Sequence, residues 1–443
     1  MKGFAAAPSG LRLPSLRLFW AVAVLGLAAL PIFAQGGGPA LTSDSVPLER
    51  TIPDRELVAN DIARSRYHLG PVRLLPGFAV HNAGYDSNVF GTSTDVVGDW
   101  TATFSAGSRF LLPMGAKFVL VADAFPEYTW YATLKQRDQF GGNYTGTLYG
   151  FFNRVTTEVD ARYSERYHLY STEIESPVFT KSEDGVVRME VELGAHWSVF
   201  GSGEINRSRY EQIQGPPEQE IGVERNNRTA WAGRGGLRYR ISQEWEVAGV
   251  VEGTWADFQI EPNLRNNTSN AYLGTLSFKR PRLFINVVGG LREGRGSDSV
   301  LFPKYSTGVG SYFLSFFPLP WLELQSFGHR QVAYSISTEN PYFFEERIGG
   351  KINIQVGPRV LLSGFGLTGP NNYPRPQPVP DQGLVKRRDK QTLYGGGFSV
   401  LTWQPVVVTG VYTRNQTTSN VPGNIRSYDR YTLFLSFSGV LER

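Results

Sequence analysis

The feature that most constrains this chain is a period-two alternation of apolar and polar residues that recurs along most of its length. In residues 187–199 the odd positions, from Val187 onward, are apolar, and the even positions, from Arg188 onward, are charged, polar or glycine. Residues 228–241 and 344–356 repeat the pattern. Because successive side chains of a strand point to opposite faces, the pattern predicts strands with one apolar and one polar face.

Eighteen segments are predicted as strands, and most of them are 10 to 15 residues long. Strands of soluble sheets usually run about 5–6 residues, whereas a tilted strand crosses a bilayer in about 9–11. The lengths therefore favour transmembrane strands. The predicted strands are 73–85, 99–110, 116–128, 140–152, 155–167, 186–197, 198–210, 228–240, 244–258, 267–279, 282–294, 305–317, 321–335, 342–356, 359–368, 391–402, 405–415 and 428–438.

The connections between these segments alternate in length. Tight turns are expected at 113–115, 153–154, 242–243, 280–281, 318–320, 357–358 and 404–405. Longer connections are expected at 86–98, 129–139, 168–185, 211–227, 259–266, 295–304, 369–390 and 416–427. Outer-membrane barrels place short turns on the periplasmic side and long loops outside. With an even number of strands, the first strand of such a barrel begins, and the last strand ends, on the periplasmic side.

A half-exposed soluble sheet shows the same alternation. An open sheet of so many long strands would be unusual, whereas a closed barrel leaves no unpaired edge for lipid to cover. The predicted fold class is therefore all-β: a transmembrane antiparallel up-and-down β-barrel of about 18 strands (range about 16–18) over residues 73–443. A barrel of that size leaves an aqueous channel, so the function expected is passage of hydrophilic solutes across a Gram-negative outer membrane.

Residues 1–34 have the composition of a cleavable signal peptide. An apolar core at 18–30 is followed by Ala34, after which cleavage is expected. Thirteen apolar residues fall short of the roughly 20 that span a bilayer, which disfavours an inner-membrane anchor. The basic residues of this segment precede the core: Lys2, Arg12 and Arg17.

Charge and cysteine content exclude several classes of function. Removal of residues 1–34 takes away three of the 44 basic residues and none of the 40 acidic ones, which leaves a net charge of +1. The basic balance of the full chain thus gives no support to nucleic-acid binding. The chain has no cysteine, so thiolate metal sites and cysteine nucleophiles are excluded.

Between the signal peptide and the barrel, residues 35–72 are predicted to form a periplasmic or lumen-facing N-terminal tail. One short helix is expected around 54–64, with Leu57, Val58 and Ile62 on one side.

The polar faces of the strands supply the candidate pore-lining residues, and arginine outnumbers lysine 35 to 9. Guanidinium groups on a pore wall would bind carboxylates, which suits small anions or an acidic polysaccharide. Glutamates of the same parity allow the alternative that the wall carries mutually neutralising ladders. The candidates are Arg162, Arg166, Arg188, Glu190, Glu192, Arg234, Arg238, Arg240, Arg292, Glu345, Arg347 and Lys351.

Aromatic residues gather near strand ends, where rings form the interfacial girdles of membrane barrels. The predicted girdle residues include Tyr128, Trp130, Tyr131, Tyr163, Trp197, Trp245, Phe316, Trp321 and Tyr342 to Phe344. The last strand alternates Tyr431, Leu433, Leu435 and Phe437 against polar residues, which resembles the signal read by the barrel assembly machinery. It departs from that signal in that residues 439–443 follow and no aromatic residue ends the chain.

The first strand and its exit carry a more specific resemblance. The stretch Pro76-Gly-Phe-Ala-Val-His-Asn-Ala-Gly-Tyr-Asp-Ser-Asn-Val-Phe90 resembles the start of outer-membrane β-barrel porins of the kind associated with exopolysaccharide export clusters. The resemblance covers about 15 residues, and it implies a conduit for an exported polysaccharide. The alternative is that Asp86, Ser87 and Asn88 begin a loop with turn-forming residues.

Two rival classes and metal sites find little support in the sequence. A barrel enzyme needs histidine, serine and acidic residues gathered on adjacent strands, and none of the five histidines, at 68, 81, 168, 196 and 329, stands in a nucleophile motif. A plugged, energised transporter has about 22 strands, and residues 35–72 are too few for its plug. No metal-ligand spacing is present, so no catalytic residue, metal or cofactor is expected. The partners expected are outer-membrane lipid, the barrel assembly machinery and a hydrophilic solute or polysaccharide; a structural or adhesion barrel without transport is a further alternative.

Overall fold

The computed structural model of the protein describes residues 55–65, 67–168, 171–173, 177–211, 222–403 and 406–440. Helix α1 (Arg55–Arg64) and a short strand β1 (Tyr67–Leu69) precede the long strands, and α2 (Pro262–Arg265) follows β10. No helix in these ranges is both long and apolar enough to cross a membrane. The predicted signal peptide lies outside the described residues and stays a prediction.

The long strands form one sheet in chain order. They are β2 (Val72–Asp86), β3 (Asp99–Met114), β4 (Phe118–Tyr131), β5 (Gln139–Phe151), β6 (Val155–His168), β7 (Val178–Glu192), β8 (Trp197–Glu211), β9 (Arg228–Arg240), β10 (Trp245–Phe258), β11 (Asn267–Arg280), β12 (Leu283–Gly296), β13 (Tyr305–Leu319), β14 (Leu322–Tyr334), β15 (Tyr342–Val356), β16 (Val360–Val379), β17 (Gly383–Trp403), β18 (Val406–Ser419) and β19 (Arg426–Val440).

Each of these strands pairs antiparallel with the next, and β19 pairs with β2, so the sheet is closed. Strand β1 adds a short antiparallel ladder to β2. The fold class is confirmed: the protein is an all-β antiparallel barrel of 18 strands, and every predicted strand overlaps one of them. The start of β2 and the end of β19 both lie on the side of the short turns, as an even number of strands requires.

Two predicted connections are wrong because charged or proline-rich segments belong to strands. The connection placed at 168–185 ends early, since β7 begins at Val178. The polar residues at the start of β7 lie at the barrel rim, where Lys181 Nζ is 2.9 Å from a carboxylate oxygen of Glu211. The sequence also predicted that one strand ends at residue 197 and the next begins at residue 198. In the structure, residues 193–196 form a turn between β7 and β8.

The connection placed at 369–390 is instead a long hairpin formed by the ends of β16 and β17. Its tight turn has a positive φ at Asp381 (63°) and Gly383 (74°). Pairing between β15 and β16 ends at Asn372, so beyond that residue β16 has a partner on one side only. Prolines are tolerated on an unpaired edge because no ladder donor is needed there.

The outer surface of the barrel is apolar and has aromatic residues near both ends. At the short-turn end the rings of Trp197 and Tyr239 are 4.5 Å apart between centroids. At the other end Tyr412 and Tyr431 are 4.9 Å apart. Apolar residues such as Val251 are more than half exposed on this surface. A closed barrel with this surface is an outer-membrane protein.

Two parts of the predicted girdle are wrong. Tyr131 is buried on the lumen side of β4, with the Arg137 guanidinium 5.7 Å from the centroid of its ring. Phe343 is fully buried and faces the lumen, with its ring 5.3 Å from that of Tyr373. Tyr342 is also buried, and its hydroxyl donates to the carbonyl of Pro303 in the β12–β13 loop. A period-two sequence pattern cannot distinguish a strand that ends in the membrane–water interface from one whose end is covered by loops.

Candidate functional site

The lumen wall carries the polar faces of the strands, and its charged residues are joined into ladders. Arg234 Nη1 is 2.8 Å from a carboxylate oxygen of Glu204, and Arg234 Nε contacts Glu252. The other oxygen of Glu252 accepts a hydrogen bond from Arg292. The four residues lie on β8, β9, β10 and β12, so one ladder pairs two acids with two arginines across five consecutive strands.

A second ladder lies closer to the short-turn end. Arg238 donates to Glu190 at 2.5 Å, and its Nε is 3.1 Å from a carboxylate oxygen of Glu246. Arg188 contacts Glu158 in the same part of the wall. These contacts are those expected if the charges neutralise one another. The guanidinium groups named here are paired with carboxylates, which does not favour an anion-selective wall in this region.

The remaining candidates occupy three different positions. Arg162 is 2.7 Å from Asp160 on the lumen face of β6, where Arg166 is exposed. Glu192 and Arg240 are exposed at the ends of their strands. Glu345, Arg347 and Lys351 follow one another on the lumen face of β15.

Arg347 is part of a buried polar network near the long-loop end. Its Nη2 donates to Asn371 Oδ1 at 2.7 Å, and its Nη1 donates to the carbonyl of Pro370 at 3.1 Å. Glu345 is 3.4 Å from both Arg347 and His329. His329 lies on β14 and His196 in the β7–β8 turn, so the fold does not bring these two histidines together.

The mouth at the long-loop end is crossed by Thr172 and Glu173, from the β6–β7 connection. The Glu173 carboxylate accepts hydrogen bonds from Tyr373 Oη (2.6 Å), Ser335 Oγ (2.7 Å) and the backbone N–H of Ile336 (2.9 Å). Asn371 Nδ2 donates to Thr172 Oγ1 at 3.0 Å. The donors come from β16 and from the β14–β15 loop (335–341), and we refer to these contacts of Thr172 and Glu173 as the latch.

The β14–β15 loop is itself held in the mouth. The buried Arg265 guanidinium donates to the carbonyls of Ser335 (2.6 Å) and Ser337 (3.0 Å). Ile336 packs against Val178, Tyr210 and Val223, which are buried. The loop thus gives the latch a fixed receptor.

Within that loop, one carboxylate stabilises the local turn. The Thr338 and Ser337 hydroxyls donate to Glu339 and hold the pKa of Glu339 below its usual value. The carboxylate is therefore charged at neutral pH and remains an acceptor for both hydroxyls.

The opposite end of the lumen is narrowed by α1. Val58 is buried against Tyr149 and Phe151, which face inward from β5. Asp61 is 2.9 Å from Arg109, and Arg109 Nε is 2.7 Å from Asp123. The helix was predicted from the spacing of Val58 and Ile62, and the side chain of Leu57 lies outside the described residues.

The sequence did not indicate the latch or the anchors of α1. Glu173 and Tyr373 are 200 residues apart, and nothing in the pattern around either residue marks the other. The sequence indicated no metal site, and among the described residues no three His, Cys, Asp or Glu side chains are grouped closely enough to hold an ion.

The described architecture is similar to that of several solved porins at low sequence identity. OccK2 (OpdF) from Pseudomonas aeruginosa is 12% identical, with 83% of this chain and 98% of that chain covered and a TM-score of 0.49. OpdO from the same organism is 11% identical (83% and 97% covered, TM-score 0.49), and OccAB3 from Acinetobacter baumannii is 8% identical (83% and 99% covered, TM-score 0.48). No protein-family model and no curated protein matches the chain.

Proposed function

We propose that the protein is a gated channel for hydrophilic solutes across the outer membrane. The observation that supports this proposal best is a closed barrel of 18 strands with an apolar outer surface and a charged lumen wall. Barrels of that size have an interior wide enough for water and small solutes. The twelve candidate residues of the sequence, Arg162 to Lys351, line this path on β6, β7, β9, β12 and β15.

The gate consists of the latch at the outer mouth. Glu173 makes three hydrogen bonds with its carboxylate, and charge-assisted bonds of this kind contribute about 1.5–3 kcal/mol each. All three partners belong to β16 or to the β14–β15 loop, which are distant from β6 and β7 in the strand order. Loss of the Glu173 carboxylate therefore removes three of the contacts that hold residues 171–173 across the mouth.

Single-channel recording in planar bilayers tests the gate. Glu173→Ala removes the acceptor for all three donors, so we expect the open probability to rise at least tenfold over the wild-type protein. Glu211→Ala, at the same rim but paired with Lys181 on the neighbouring strand, is the matched control and should leave the open probability unchanged. If neither protein nor variant conducts ions, the channel proposal is wrong.

A narrower version of the proposal is a conduit for an exported polysaccharide. The stretch that carries the resemblance is engaged in closing the barrel: both Asp86 oxygens accept from Arg430, at 2.9 and 3.1 Å from its Nε, and Asn88 holds the Thr92 backbone at 2.9 and 3.1 Å. These contacts agree with the alternative that the stretch begins a loop. Surface polysaccharide that persists in a strain lacking the protein would rule out the conduit.

A further inference from the structure

Four phenylalanines face the lumen on β12, β13, β14 and β16 and form what we name the aromatic track: Phe284, Phe313, Phe327 and Phe365. The ring centroids of Phe284 and Phe313 are 6.0 Å apart. Phe313 and Phe327 are direct partners across β13 and β14. All four rings are partly exposed, in a wall where the other side chains at this level are mostly polar.

Two of the rings lie flat over glycines of the adjacent strand. A Cβ added to Gly349 would be 2.8 Å from Phe327 Cε2, and one added to Gly395 would be 2.8 Å from Phe365 Cζ. Any larger residue at either position would lift the ring from the wall. The glycines therefore let Phe327 and Phe365 present a ring face to the lumen.

A row of hydrogen-bonding side chains runs beside the track, and we name it the polar row: Ser315, Glu323, Gln325, Asn353 and Ser363. Glu323 Oε1 accepts from Ser315 (2.8 Å) and Gln325 (2.7 Å), and its Oε2 accepts from Asn353 (2.8 Å). Ser363 Oγ donates to Asn353 Oδ1 at 2.8 Å. These bonds fix the orientation of the row before any solute enters.

The row and the track are adjacent on one surface. Ser315, Gln325 and Ser363 each lie two residues from a track phenylalanine on the same strand, so each pair shares a face at about 7 Å. Lys351, between Gln325 and Phe365 in the strand register, adds one positive charge beside the negative charge of Glu323. The surface thus combines ring faces with hydrogen-bonding groups and has little net charge.

We infer that the aromatic track and the polar row form a binding track for neutral carbohydrates; this inference rests on the proposed channel function. A pyranose ring has a flat face of C–H groups and a rim of hydroxyls. The C–H groups carry partial positive charge and bind the negative face of an aromatic ring. The hydroxyls donate to the carboxylate and amide oxygens of the polar row, where a carboxylate has about four acceptor sites and three are occupied here.

Blocking of ionic current by maltotriose tests the inference in full-length protein carrying Glu173→Ala. Phe327→Leu and Phe365→Leu keep the apolar volume but remove the ring, so each should shorten the residence time of maltotriose about fivefold. Phe316→Leu, on the lipid-facing side of β13, is the matched control and should have no effect. Heat-modifiable gel migration checks that every variant forms the barrel.

A second substitution separates carbohydrate from aromatic solutes. Glu323→Ala removes the centre of the polar row, and we expect it to weaken maltotriose block while block by 2-phenylethanol stays unchanged. A track that binds 2-phenylethanol but not maltotriose would overturn the inference, as would equal residence times in the ring variants and the parent. If no current flows at all, the channel proposal fails, and calorimetric titration of the solubilised barrel with maltotriose still decides whether the track binds carbohydrate.

Discussion

At the scale of single residues, the charged wall depends on carboxylates shared between guanidinium groups. Glu252 is 3% exposed and contacts both Arg234 and Arg292. Breaking a buried pair leaves an uncompensated charge and costs about 3–5 kcal/mol. We therefore expect the ion selectivity of the lumen to depend on a few shared acids rather than on the number of arginines.

Glu252→Gln should leave two adjacent guanidinium groups without their common carboxylate. We expect the reversal potential in a KCl gradient, measured in the Glu173→Ala background, to shift toward anion preference. Glu293→Gln, on the outer face of β12, two strands away from Glu252, provides the control. A shift toward cations, or an equal shift in both variants, would contradict the assigned role of Glu252.

At the scale of elements, α1 and the latch restrict the two ends of the lumen independently. The helix is attached by the apolar contact of Val58, by the ion pair of Asp61 and by a hydrogen bond from Arg55 to the carbonyl of Ala116, and Glu56 is exposed. Such an element is removed more easily than a folded plug.

Val58→Asp places a charge against Tyr149 and Phe151, so we expect α1 to leave the wall. In the Glu173→Ala background the unit conductance should then rise about twofold, because the inner constriction is lost. Glu56→Gln on the exposed side of α1 should leave conductance unchanged. Equal conductance in the two variants would mean that α1 does not narrow the path.

The elements also show which parts of the fold the sequence can predict. Strand number and the α1 helix follow from local periodicity and were confirmed, and most of the predicted tight turns lie within one or two residues of the observed ones. The hairpin of β16 and β17 was missed because its prolines resemble a loop until the unpaired edge is known. The aromatic track was missed because a phenylalanine on a polar face does not change the period, and the glycines that expose the rings lie on other strands.

At the scale of the whole molecule, closure depends on the first and last strands. Arg430 and Asp86 are buried in the seam between β19 and β2 and are separated by 344 residues in the chain. Asn82, with a φ of 52°, forms part of an irregularity in the same seam. The seam is therefore a specific joint within the sheet.

Asp86→Asn should lower the temperature at which the folded band is lost in heat-modifiable gels by several degrees, because Arg430 would remain buried without its counter-charge. Asp429→Asn, next in sequence to Arg430 but exposed on the outer side, is the matched control. Similar temperatures for both variants would show that the seam does not limit stability.

The separation of those two residues also determines the order in which the protein can be made. Until β19 has been delivered, β2 has a free edge and Asp86 lacks its arginine, so no shorter nascent chain can shield its backbone from lipid. During assembly the first strand must therefore keep an unpaired edge until the other seventeen strands have been added. We therefore predict that assembly in the cell involves a factor that covers this edge until β19 arrives.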